Sequence, residues 1–94
     1  MNDSSKLIGE NGGQFYDSTA ELTGWFYAIE CNEDTIINAL EEKDYSDSAG
    51  TDVTGASEWN ISGKTLSQGA ILTPKRDAFS KISLTSGSVI LRKL

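Results

Sequence analysis

The chain has 94 residues, of which 37% are hydrophobic, with eight basic and fourteen acidic residues for a formal net charge of −6. That length suits one domain with a lean core and leaves little room for a deep, two-lobed active site. The acid excess works against binding nucleic acid, where basic residues must displace counterions from phosphates, and against an anionic membrane surface. A single cysteine, Cys31, rules out an intrachain disulfide and fits assembly in a reducing cytoplasm.

The N-terminal stretch reads as an arm over residues 1–21, ahead of a β-rich domain over residues 22–94. The arm is polar and rich in Gly, Asn and Ser, with Leu7, Ile8, Phe15 and Tyr16 as its apolar anchors. It lacks the basic start and apolar stretch of a signal peptide, and no run in the chain is apolar enough to span a membrane. Phe15-Tyr16 is the natural docking point, because aromatics bring large contact area at low entropic cost.

Residues 24–31 (Gly-Trp-Phe-Tyr-Ala-Ile-Glu-Cys) are dominated by aromatic and β-branched types, which predicts a strand. Period-two geometry places Trp25, Tyr27, Ile29 and Cys31 on its core face and Phe26 on the other, where a second layer or another chain must cover it. A polar turn at Asn32-Glu33-Asp34 follows. Residues 35–40 read as a strand on their β-branched run, against the competing possibility of a short helix capped by Asp34. Residues 41–58 read as a long surface loop.

Gly63, Gly69 and the only proline, Pro74, punctuate short strands around Leu66 and residues 70–73. At the C-terminus, residues 79–84 alternate, residues 85–88 supply a turn with Gly87 available for positive φ, and residues 89–94 return as an apolar run covered on both faces. This pattern predicts a β-hairpin. Short strands separated by turn residues together predict an all-β fold, a small antiparallel sandwich or barrel.

Chemistry is hard to find. The chain has no histidine, so the common triads and imidazole zinc sites are absent. Cys31 reads as a small buried apolar residue. Gly63-Lys64-Thr65 ends like a phosphate-binding loop, but Glu58 stands where its first glycine belongs. Read as an EF-hand from Asp44, the acidic loop has Ala49 at the turn-glycine position and Gly55 where a bidentate Glu is needed. The pairs Glu33-Asp34 and Glu41-Glu42 are adjacent residues, whereas glycosidases hold two carboxylates across a cleft. The expectation is no enzyme, no catalytic residue, no metal and no cofactor. An aromatic sugar-binding surface is the main alternative. There Trp25 and Tyr27 read as core, which leaves Trp59 and Tyr45 as the exposed candidates.

One pattern has a familiar look. Glu33-Asp34-Thr35 is followed by a variable loop, then Ile61-Ser62-Gly63-Lys64-Thr65-Leu66-x-x-Gly69-x-Ile71, then Phe79-x-x-Ile82-x-Leu84-Thr85-Ser86-Gly87-Ser88-Val89-Ile90. It resembles small virion structural proteins of tailed bacteriophages over roughly residues 24–90. The resemblance implies a β-rich capsid decoration or cement subunit, or a related head or tail component, located in virions assembled in the host cytoplasm. Implied partners are the major capsid protein or other virion subunits and further copies of the chain, with a trimer favoured, and neither nucleic acid nor membrane. On that reading Leu7, Ile8, Phe15, Tyr16, Phe26 and Trp59 are the partner-binding candidates. The alternative is an adhesion or carbohydrate-binding sandwich.

Overall fold

A computed structural model describes residues 13–93. Among the described residues, nine strands form two antiparallel sheets: β1 (Gly13–Tyr16), β2 (Leu22–Phe26), β3 (Ala28–Cys31), β4 (Thr35–Lys43), β5 (Thr51–Asp52), β6 (Thr65–Leu66), β7 (Ile71–Leu72), β8 (Ala78–Ser86) and β9 (Val89–Arg92). Sheet A has the order β1-β9-β3-β7 and sheet B the order β2-β8-β4-β5, with β6 also on β4. The fold is an all-β sandwich. Tyr16, Ile29, Cys31, Leu72, Val89 and Leu91 from sheet A meet Phe26, Ile37, Leu40, Phe79, Ile82 and Leu84 from sheet B in one buried cluster, which Val53 and Ile61 extend.

Every connection except β4–β5 and β5–β6 carries the chain from one sheet to the other. This corrects the C-terminal hairpin. β8 and β9 are consecutive and joined at Gly87, but β8 pairs with β2 and β4 whereas β9 pairs with β1 and β3. The turn is therefore an arch over the core. The arch sends Ile82 and Leu84 into the core from sheet B and Val89 and Leu91 into it from sheet A, and it leaves Ile90 half-buried on the outer face, so the apolar run is covered on one face and not on both.

Residues 24–31 are likewise two strands. The chain breaks at Tyr27, so Phe26 enters the core from sheet B and Ile29 and Cys31 enter it from sheet A, while Trp25 and Tyr27 are only half-buried. Phe26 is covered by the second layer of its own chain.

Residues 35–43 form one long strand, which settles residues 35–40 as β. Its last turn of sequence, Glu41 to Lys43, was expected in the loop and instead continues the ladder against β8. Of the expected arm, Gly13–Tyr16 is the edge strand of sheet A, paired with β9 from Gly13↔Arg92 to Tyr16↔Val89.

Candidate binding surfaces

Two surfaces differ from an ordinary solvated sheet. The first is the outer face of sheet A. The registers Phe15↔Ile90, Glu30↔Ile90 and Glu30↔Ile71 align Phe15, Ile90, Glu30 and Ile71 in one row across all four strands. Phe15 is 48% and Ile71 61% exposed, large values for such side chains. Glu30 is not isolated in this row, because Arg92 Nη2 donates to its Oε1 at 3.0 Å from the neighbouring row. The face is thus apolar with a single internally paired charge couple.

The second is a groove of about 250 Å³ on the outer face of sheet B, lined by Thr23, Gly24 and Trp25 of β2, Ser80 and Lys81 of β8, Glu41 and Lys43 of β4, and Gly50. Two bulges create it. Between Thr23↔Lys81 and Phe26↔Phe79, β2 has one residue more than β8; between Glu41↔Lys81 and Glu42↔Phe79, β8 has one more than β4. Both irregularities fall at the level of Ser80, and such bulges re-aim side chains and bend strands. Lys81 Nζ lies 3.1 Å from Glu41 Oε2, and this pairing holds the ammonium above its ordinary range. Ser80 Oγ is buried without a hydrogen-bond partner.

An aromatic cluster adjoins this groove. The rings of Trp25 and Tyr45 lie 5.0 Å apart, and the Tyr45 and Tyr27 hydroxyls are 3.3 Å apart. That hydroxyl contact is the main reason the Tyr27 phenol is pushed up. Trp25 weakly opposes the shift, but its buried Nε1 makes no hydrogen bond of acceptable geometry. Tyr45 is 73% exposed. Its loop is fixed from beneath: the Asp77 carboxylate accepts from Tyr45 N at 2.8 Å, and Asp44 accepts from Asp77 N at 2.9 Å. The acidic loop therefore spends its carboxylates on backbone N–H groups, and Asp47 does the same for Asp44 N at 3.0 Å.

The sequence candidates scatter. Phe15 lies on the exposed face of sheet A, while Tyr16, the next residue, turns into the core. Phe26, 1% exposed, offers no surface to a partner. Trp59 is not an exposed platform either. It packs on the core cluster, its ring near Phe79 and under Lys75, and its Nε1 donates to Glu42 Oε2 at 2.7 Å. Leu7 and Ile8 lie outside the described residues.

Sequence reasoning also missed Glu42, which is fully buried. Besides Trp59, it accepts from the backbone N–H groups of Lys75 at 3.2 Å and Arg76 at 3.1 Å, and from Arg76 Nη1 at 3.1 Å. Arg76 also bridges to both oxygens of Glu58 at 3.3 Å, which holds the Glu58 carboxyl below its ordinary range. A buried carboxylate with four donors is a structural anchor: it ties two loops to the end of β4 and is sealed from solvent. The alternation of buried positions along β4 was the one available signal for it, and the doublet with Glu41 concealed it.

No protein-family model, curated protein or solved structure matches this chain.

Proposed function

We propose that the chain is a virion structural subunit of a tailed bacteriophage, a capsid decoration or cement protein that works by binding neighbouring subunits. The observation that carries this reading is the apolar row Phe15, Ile90 and Ile71 across the outer face of sheet A. Phe15 and Ile90 are direct neighbours in this row and Ile71 lies beyond Glu30, whose charge Arg92 pairs, and exposed apolar surface of this kind marks an interaction site. The motif resemblance over residues 24–90 supplies the biological setting. The partner is another copy of the chain, and through it the shell. Each contact is weak alone, and repetition on a lattice raises its effective strength through local concentration.

The test is light scattering coupled to size-exclusion chromatography on the wild type and on a Phe15→Ser, Ile71→Ser double variant. A closed oligomer, with a trimer expected, should dissociate in the variant while circular dichroism stays unchanged. A wild type that remains monomeric at every concentration, or a variant that assembles equally well, would overturn the reading.

A further inference from the structure

Sheet A has two edges, and its row of exposed apolar side chains runs from one to the other. Among the described residues β1 pairs only with β9 and β7 only with β3, so each has an outer side open to a further strand. The row begins with Phe15 on β1 and ends with Ile71 on β7, and these are its two exposed members, whereas Ile90 and Glu30 between them are half-buried. Backbone direction agrees with side-chain direction. Asn32 N donates to Ser88 O at 2.9 Å and Cys31 N to Ala70 O at 2.8 Å. Alternate residues of an antiparallel strand turn their N–H and C=O to opposite sides. Ser88 therefore faces β3, Val89 and Leu91 face β1, and their partners Tyr16 and Gln14 face back. That directs the N–H and C=O of Phe15 away from the sheet. By the same alternation Ala70 and Leu72 face β3, and the N–H and C=O of Ile71 point outward at the far edge. Neither strand carries charge or a bulge, two of the devices by which edges keep other chains away. Residues 13–16 and 70–73 hold no charged side chain in a chain of net charge −6, and both ladders run without a register shift.

We propose that copies of the chain join head to tail through sheet A, with β1 of one copy added antiparallel to β7 of the next and Phe15 opposite Ile71 of that next copy. The inference rests on the reading of the chain as a self-assembling subunit, and it names the contact. Strand direction fits, because each pairing in the order β1-β9-β3-β7 is antiparallel, so β1 of a following copy runs opposite to β7 and continues the sheet. In this register Phe15 and Ile71 form a hydrogen-bonded pair from the groups that point outward. Their side chains meet on the same face, as an aromatic and a β-branched residue that stabilise a ladder across strands. Tyr16 falls opposite Ala70, and both belong to the core side. The contact removes the two exposed ends of the apolar row from water together. It joins two different edges, so it is heterologous and closes rings of odd number, a trimer included, which a contact between identical edges does not. Pro74 ends the β7 edge after a few residues, which keeps each contact weak and leaves the assembly dependent on repetition.

The experiment is disulfide trapping between full chains. Phe15→Cys and Ile71→Cys variants, one of them tagged so that mixed pairs separate by mass, are refolded together from urea, oxidised mildly and run on a non-reducing gel. Directly opposed residues of such a pair lie about 5.5 Å apart at Cα, within reach of a disulfide. Within one chain the two positions stand three strand spacings apart, roughly 14 Å, so any bridge between them joins two copies. The native Cys31 is buried and stays out of the reaction. The mixture should give the mixed dimer, and each variant alone should give no more dimer than the wild type. The second measurement is amide exchange on the assembled wild type, which needs no substitution. The Phe15 and Ile71 amides should exchange about tenfold or more slowly than in an unstructured peptide, because each gains an acceptor across the new ladder. Either variant cross-linking with itself as readily as with the other would overturn the proposal. So would a wild-type oligomer in which these two amides exchange at the unstructured rate, a result that leaves the subunit reading standing. A wild type that is monomeric at every concentration overturns both.

Discussion

At the scale of single residues, the buried polar groups carry the most specific consequences. Glu42 gathers four donors in a site with no solvent to replace it. Glu42→Ala should therefore cost on the order of 3 kcal/mol, because Trp59 Nε1, two backbone N–H groups and the Arg76 guanidinium lose their acceptor together. Urea denaturation measures this directly, and Glu58→Ala, at an exposed rim, should cost far less. Cys31 lies 1% exposed among core residues, and desolvation pushes its thiol up. It should react with a thiol reagent only after denaturant is added, because the thiolate is the reactive species and burial suppresses both it and access. Fast labelling of the native protein would contradict the core placement. The two tryptophans show how far composition goes. Both are half-buried, yet Trp59 is tied to the Glu42 carboxylate through its Nε1, while the buried Trp25 Nε1 has no partner among the described residues.

At the scale of elements, the arch between β8 and β9 is the most constrained joint. Gly87 has φ 93°, and a Cβ there would come within 2.6 Å of the Asp34 carbonyl oxygen and 2.7 Å of Thr35 Cα. The neighbouring turn locks to it: Asn32 N donates to Ser88 O at 2.9 Å, the Thr35 hydroxyl donates to Ser88 O at 3.1 Å, and Ser88 Oγ donates to Glu33 Oε2 at 2.6 Å. Gly87→Ala combines a left-handed backbone with a collision against main chain that cannot yield. It should lose on the order of 3 kcal/mol or more in thermal or urea unfolding. The strand β4 explains another ambiguity. Its register against β8 slips between Ile37↔Leu84 and Ala39↔Ser83, so Asn38 is an extra residue. The buried positions Ile37 and Leu40 are consequently three apart, a helical spacing produced by a bulged strand.

For the whole molecule, the topology decides folding speed. The ladders join Gly13 to Arg92 and Ile36 to Ser86, and almost every turn crosses between sheets. Long loops must close before contacts form, so refolding from urea should take milliseconds to seconds, as stopped-flow fluorescence of the tryptophans can follow. Acid should lower the stability of the fold. Asp52 is held below its ordinary 3.8 by hydrogen bonds from the Thr54 backbone and hydroxyl, and Glu58 below its ordinary 4.5 by Arg76. The unfolded chain therefore binds more protons near pH 4. Stability is fully present above that range and falls as pH drops through the lowered folded values. Melting temperatures from pH 7 to pH 3 should show the decline, and Asp52→Asn should flatten part of it.

The sequence by itself determined the all-β class, because β-branched and aromatic runs broken by Gly and polar turns have no helical stripe to bury. It also determined where most strands lie: residues 35–40, 79–84 and 89–92 are readable from local composition, as is the positive-φ turn at Gly87. Only the tertiary structure decided which sheet each strand joins. Alternation states which side chains share a face but not which neighbour lies beside it, so a turn at Gly87 serves a hairpin or an arch equally well. The bulges at Asn38, at Ser80 and in β2 were hidden for the same reason, since one added residue is defined only against a partner strand. Those bulges and the crossing topology bury Phe26, leave Trp25 and Trp59 each half-buried, and bring Phe15, Ile90 and Ile71 into one row. Both candidate surfaces are therefore properties of register, a long-range relation that no stretch of the chain encodes alone.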